Sequence, residues 1–293
     1  MLRTRLILGT SLIAVLVGLS WLDHRAAVPG LWLAPVLVAL VVLATQELLA
    51  LLAARGLQPV APVVYVGTLL VLLSPWATSG SLGGGCTAVD GWTSSAFAFA
   101  VVLAFLGEIF RFEKPGRVMA DLSAAVFSIA YLGFLLSFLA RLRLTWGVAA
   151  LASLVIVVKM GDTGAYFFGK AFGRHRMSPV LSPGKTIEGA VGALLFSSLA
   201  SVAVFHWLVP AMQPDSIRAA GMLGRLGGPI AFGLLLGVVG MLGDLAESLL
   251  KRDAVRKDSS TWIPGLGGAL DMLDSVILAS PVAWACWYLH LVG

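Results

Sequence analysis

A chain of 293 residues that is 59% hydrophobic and only 12% charged, with a mean hydropathy of +0.95, does not belong to the soluble globular class, whose cores need far fewer apolar runs. The formal charge of +5 does not indicate nucleic acid, since no basic run with interleaved aromatics occurs that could grip a single strand. Two cysteines, Cys86 and Cys286, are too few for a disulfide framework, and there is no CxxC metal pattern.

In chain order, nine apolar segments approach or reach the roughly 17–25 residues that cross a bilayer as a helix. They are 6–22, 31–53, 60–76, 94–110, 120–140, 144–161, 187–209, 229–250 and 274–291, the third and sixth being short and the weakest. The expected fold class is all-α, a polytopic integral membrane protein of about nine transmembrane helices with its N-terminus cytoplasmic. The first segment follows Arg3 and Arg5, and no small-residue cleavage site precedes Asp23, so it reads as a retained helix. With the N-terminus inside, 14 Lys and Arg residues fall in inner segments. Only five (Arg25, Arg141, Arg143, Arg218 and Arg225) fall in outer ones, and Lys159 lies within a span. The excess of positive charge is this inside bias, which suits anionic lipid headgroups. The outer loop 77–93 is rich in Gly and Ser, and its GGG is followed by no GK[ST], so it is not a phosphate loop.

The chain reads as N-terminal transmembrane helices over 1–143 and a C-terminal transmembrane region over 144–293, together one structural unit. The second region carries two charged motif loops, 162–188 and 251–273. Both are expected on the cytoplasmic side of an inner membrane, within reach of a soluble nucleotide. No internal repeat is visible, which gives an inverted-repeat transporter no support.

The first motif loop crowds Lys170, Arg174, Arg176 and Lys185 around Ser182-Pro183-Gly184-Lys185-Thr186, directly before an apolar helix. A Gly-containing turn at a helix N-terminus presents free N–H groups and the positive end of the dipole, and Lys185 adds a point charge. The alternative is a solvated basic loop that merely obeys the inside-positive rule. The second motif opens at Asp244, Glu247 and Ser248, which share one helix face at i, i+3 and i+4. Intramembrane carboxylates need a cation, and a bound metal is one candidate. Lys251-Arg252, Lys257-Asp258, the turn Pro264–Gly268, then Asp271 and Asp274 follow. Asp271 and Asp274 open the last helix, where capping is the alternative role. Taken with Asp244, they offer the oxygen donors of a first shell for Mg²⁺.

These two stretches resemble the phosphatidate cytidylyltransferase (CDP-diacylglycerol synthase) family over roughly the second half of the chain. The resemblance rests on Asp162-Thr163-Gly164-Ala165-Tyr166, Ser182–Thr186 with Glu188-Gly189, and the run from Ser248 through Lys251-Arg252, Lys257-Asp258 and Pro264–Gly268 to Asp271 and Asp274. It implies transfer of the cytidylyl group of CTP to phosphatidic acid, with release of pyrophosphate, in phospholipid biosynthesis. The implied metal is Mg²⁺, with a second cation as an option, on Asp244 and Asp271 helped by Asp274 and Glu247. Lys185, Lys251, Arg252 and Lys257 are the implied phosphate ligands. Asp162 orients a lysine or a metal-bound water. Ser182, Thr186, Gly265, Gly267 and Gly268 shape the cradle, and Ser248 and Asp258 complete the substrate-binding set. Expected partners are phosphatidic acid, CTP and membrane lipid, with a homodimer as an open option and no nucleic acid. Two positions depart from the family pattern: Leu266 stands for a usual histidine and Met272 for a usual arginine. Neither departure removes a carboxylate. They leave open altered substrate choice, a slower enzyme, compensation by Arg252 or Arg256, or an inactive paralogue. Two other classes remain at this point: a CTP-dependent kinase of a polyprenol-type lipid, which would release CDP, and an anion transporter.

Overall fold

An arginine pair does not end a helix when its charge is answered, and this decides how the middle of the chain folds. The computed structural model describes residues 2–79, 86–212, 222–256 and 267–292. Their elements are α1 (Leu2–Arg25), α2 (Leu33–Ala54), α3 (Ala61–Ser79), α4 (Cys86–Arg111), α5 (Val118–Ser128), a π-turn (Ile129–Phe134), α6 (Leu135–Phe172), β1 (Arg176–Ser178), β2 (Ser182–Thr186), α7 (Ile187–Ala203), a second π-turn (Val204–Leu208), α8 (Val209–Met212), α9 (Met222–Asp253) and α10 (Ala269–Tyr288). Six helical stretches among the described residues are long and apolar enough to cross a membrane: 33–54, 91–111, 118–172, 187–212, 226–253 and 269–288. A shorter apolar helix covers 61–77. The protein is therefore an all-α, multi-pass membrane protein.

The segments expected at 120–140 and 144–161 are two helical runs within 118–172 that meet at a kink, a few residues later than expected. Arg141 and Arg143, expected in an outer loop between them, are helical and buried. Arg143 donates through Nε to the carboxylate of the fully buried Asp23 and through NH2 to the Asp23 carbonyl at 2.9 Å. Arg141 lies over the Phe138 ring, its guanidinium carbon 4.6 Å from the centroid. The break falls instead at Gly147, whose φ of 80° and ψ of −171° no other residue type adopts without strain.

The described residues form two compact units. The first comprises Met1–Thr145 and Leu250–Leu273. Its core joins Val64 and Val71 of α3 to Ala100 and Ala104 of α4, and to Ala125 and Ile129. Small residues let these backbones approach, as is usual where helices meet in lipid. A buried carboxylate, Asp121, ties the lower ends of these helices together. It accepts from the Gln58 N–H at 2.7 Å and from Arg111 at 3.0 Å.

The second unit comprises Trp146–Leu249 and Asp274–Gly293. Trp146, Trp284 and Trp287 pack together with Phe205, and Trp287 is buried and donates to Ser153 Oγ at 3.3 Å. The bulk of this aromatic group serves the core. The glycine stripe of α9, Gly233, Gly237, Gly240 and Gly243, lies against neighbouring helices. At Gly243 a Cβ would stand 2.5 Å from the Asp274 carbonyl and 3.0 Å from Ser275 Cα. Gly243→Val is accordingly expected to destabilise the protein by about 1–3 kcal/mol, the range for overpacking. A lower unfolding temperature of the detergent-solubilised variant is the check.

Candidate active site

Thr186 caps α7. Its backbone is extended and its Oγ1 accepts from the Gly189 N–H at 3.0 Å. The stretch before it, expected as a loop, is helical to Phe172 and then forms a two-stranded antiparallel hairpin that pairs Arg176 with Thr186 and Ser178 with Ser182. The hairpin is fastened at its base by Glu188. That carboxylate accepts from the N–H groups of Arg174 and His175 at 3.1 and 3.2 Å and touches His175 Nδ1 at 2.7 Å. Arg176 donates to the Pro183 carbonyl. His175 is exposed, with Glu188 as its partner.

The hairpin, α6, α7 and α9 enclose a cleft of about 220 Å³. Its walls include Asp162 and Tyr166 of α6, Lys185 and Thr186 at the end of β2, and Met241 and Asp244 of α9. Lys185 Nζ is 2.7 Å from Asp244 Oδ2. Lys185 and Asp244 sit more than 50 residues apart in the chain, and the close approach of α6 to α7 is what aligns the walls. Gly189 meets the Ala165 carbonyl, which a Cβ would approach to 2.9 Å.

One oxygen each from Asp244, Glu247 and Asp274 lie within 4.8 Å of one another. Asp244 and Asp274 are partly buried and Glu247 is 1% exposed. Three carboxylates are hard oxygen donors of the kind that Mg²⁺ and Ca²⁺ take. The donor set and its spacing fit a divalent cation. Two lysines approach these acids. Lys159 Nζ contacts Asp162 Oδ2 at 3.0 Å, Ser275 Oγ at 2.9 Å and Asp274 Oδ1 at 3.7 Å, while Ser275 Oγ also bonds Asp162 Oδ2 at 3.1 Å. Ser275 was not singled out from the sequence. Its only signal is its place directly after Asp274.

The other acids of the signature are held differently. In the first unit, Lys251 Nζ is 2.6 Å from Asp271 Oδ1, and Asp271 Oδ2 accepts from the Gly268 N–H at 2.7 Å. Asp271 thus reaches back to the start of α10, as an acidic residue in the first turn of a helix does. Gly267, with φ 84°, lies so close that a Cβ would meet Asp271 Oδ2 at 2.5 Å, so glycine is required there twice over. Glu47 of α2 completes this end. It is 5% exposed, and its two oxygens accept from the N–H groups of Ala269 and Leu270, each at 2.9 Å. Arg55 pairs with Asp253 at 3.3 Å. Arg252 is exposed, and Ser248 and Ser182 are partly buried. Lys257, Asp258, Gly265, Leu266 and Trp262 lie outside the described residues.

A sequence model of the Cytidylyltransferase family matches residues 3–290 of this chain. A phosphatidate cytidylyltransferase of Mycobacterium bovis is 31% identical over 297 aligned positions, covering 97% of this chain and 87% of its own length. One of Synechocystis is 30% identical over 93% of this chain and 94% of its own length. One of Chlamydia muridarum is 40% identical over a shorter stretch, 45% of this chain and 41% of the relative. The family match runs over nearly the whole length of the chain, and the chain belongs to the Cytidylyltransferase family.

Proposed function

We propose that this protein is a phosphatidate cytidylyltransferase, transferring the cytidylyl group of CTP to phosphatidic acid to give CDP-diacylglycerol and pyrophosphate in phospholipid biosynthesis. The supporting observation is the cleft that sets Lys185 and the N-terminus of α7 against Asp244, with Glu247 and Asp274 beside it, in a membrane protein of this family. In the transfer a phosphate oxygen of the lipid attacks the α-phosphorus of CTP, and the bond to the β-phosphate oxygen breaks. Such chemistry needs in-line positioning and charge neutralisation more than covalent help.

Lys185 then exchanges Asp244 for a phosphate of the nucleotide. The first N–H groups of α7 offer anion contacts in the same cleft. Lys251, Arg252 and Lys257 are the further phosphate ligands of the reading. Lys159 fixes Asp162 through a direct ion pair and through Ser275. Asp244, Glu247 and Asp274 would hold Mg²⁺. Bound there, the ion would neutralise charge on the triphosphate and the departing pyrophosphate. Asp271 stays in the proposed metal set on its place in the sequence pattern, beside its observed partners Lys251 and Gly268.

The same reading takes nine spans, an N-terminus in the cytoplasm of a cell with an inner membrane, and both motif segments on the cytoplasmic face. It rests on the excess of inner Lys and Arg. The acyl chains enter laterally between helices, leaving the headgroup at the inner face. Coupled measurement of pyrophosphate tests the activity. Release should require both CTP and phosphatidic acid and stop on addition of EDTA, whereas release of CDP with a polyprenol would assign the protein to the lipid kinases.

A further inference from the structure

The acids, Lys185 and the α7 N-terminus account for the phosphate end of a nucleotide, yet nothing in that set holds a base. Among the described residues, Tyr166 is the one aromatic side chain that lines the cleft. It stands on α6 one helical turn beyond Asp162, about 6 Å along the axis. Tyr166 is 63% exposed, so it is not packed into the core. Two neighbours set its orientation. Phe167 meets it edge to face with centroids 5.8 Å apart, and Lys170 Nζ lies 5.7 Å from its centroid. Met177 of the hairpin and Met241 of α9 add polarizable apolar surface to the same walls.

We infer that Tyr166 is the stacking platform for the pyrimidine base of the nucleotide, a positioning residue for CTP rather than for the lipid. The inference rests on the cytidylyl-transfer reading. A base offers a π-face whatever its hydrogen-bond edge, and an aromatic ring on a cleft wall is the usual partner. Held at the base, the nucleotide presents its triphosphate toward Lys185 and Asp244. The Tyr166 hydroxyl has no part in this, so phenylalanine should serve equally.

The test is steady-state kinetics of the wild type, Tyr166→Phe and Tyr166→Ala in mixed micelles, varying CTP and phosphatidic acid in turn. Tyr166→Ala is expected to raise KM for CTP roughly 5- to 100-fold, the range for loss of one base stack. KM for phosphatidic acid and kcat at saturating CTP should stay within about 3-fold, and Tyr166→Phe should restore the wild-type KM. Equilibrium dialysis of radiolabelled CTP without lipid, on monodisperse protein, should show the same weakening. An unchanged KM and unchanged CTP binding in Tyr166→Ala, with an active wild type, would overturn the inference alone. A rise confined to the lipid KM would do the same. A wild type that forms no lipid-bound cytidylyl overturns the underlying reading instead.

Discussion

Asp244→Asn and Asp274→Asn are each expected to lower kcat by roughly 10²–10³-fold, the scale of several kcal/mol of transition-state charge stabilisation. Each substitution keeps the size of the side chain and removes one anionic oxygen donor from the group of three. The two differ in what they leave behind. Asp244→Asn takes the partner from Lys185, so its KM for CTP should change less than its kcat. Asp274→Asn leaves Lys159 with Asp162 and Ser275. Asp253→Asn is the control. That carboxylate is exposed and paired to Arg55, and the variant should retain activity. Turnover across a Mg²⁺ titration, beside size-exclusion profiles showing intact protein, checks the set. Near wild-type turnover in both Asp244→Asn and Asp274→Asn would remove the metal assignment.

Glu47→Ala is expected to be the most damaging substitution outside the cleft. It strips both acceptors from the N–H groups of Ala269 and Leu270 in a buried site. A buried donor left without a partner costs about 1–3 kcal/mol, so two cost roughly 2–6 kcal/mol. The helix that loses its cap carries Asp271 and Asp274. Stability and turnover should therefore fall together. Glu47→Gln, which keeps one acceptor oxygen and a similar shape, should fall less on both counts. Thermal unfolding followed beside activity measures this. A Glu47→Ala variant as stable as wild type would show that α10 does not depend on this cap.

What the sequence made legible was chemistry carried by local spacing. Asp244 and Glu247 are one turn apart on a single helix, so their shared face could be read directly from their spacing. What escaped were partners distant in the chain. Glu47 and Ala269 are separated by 222 residues, and no local pattern joins them. Asp23 and Arg143 are 120 apart. With Asp23 unseen, the arginines at 141 and 143 looked like a loop, and the true break at Gly147 was hidden in an apolar run. The hairpin at 176–186 was missed because Pro and Gly punctuate it as they would a loop. Ser275 carried no signal beyond its place after Asp274, which is ordinary until Lys159 is seen beside both.

The most direct measurement uses CTP labelled at the α-phosphorus and, separately, at the γ-phosphorus, with phosphatidic acid, Mg²⁺ and purified protein in detergent. The account predicts that the α-label enters the lipid phase, that the γ-label leaves as pyrophosphate, and that EDTA stops both. A γ-label found in the lipid, or an α-label that stays in the aqueous phase with well-folded protein, would contradict cytidylyl transfer as the activity of this chain.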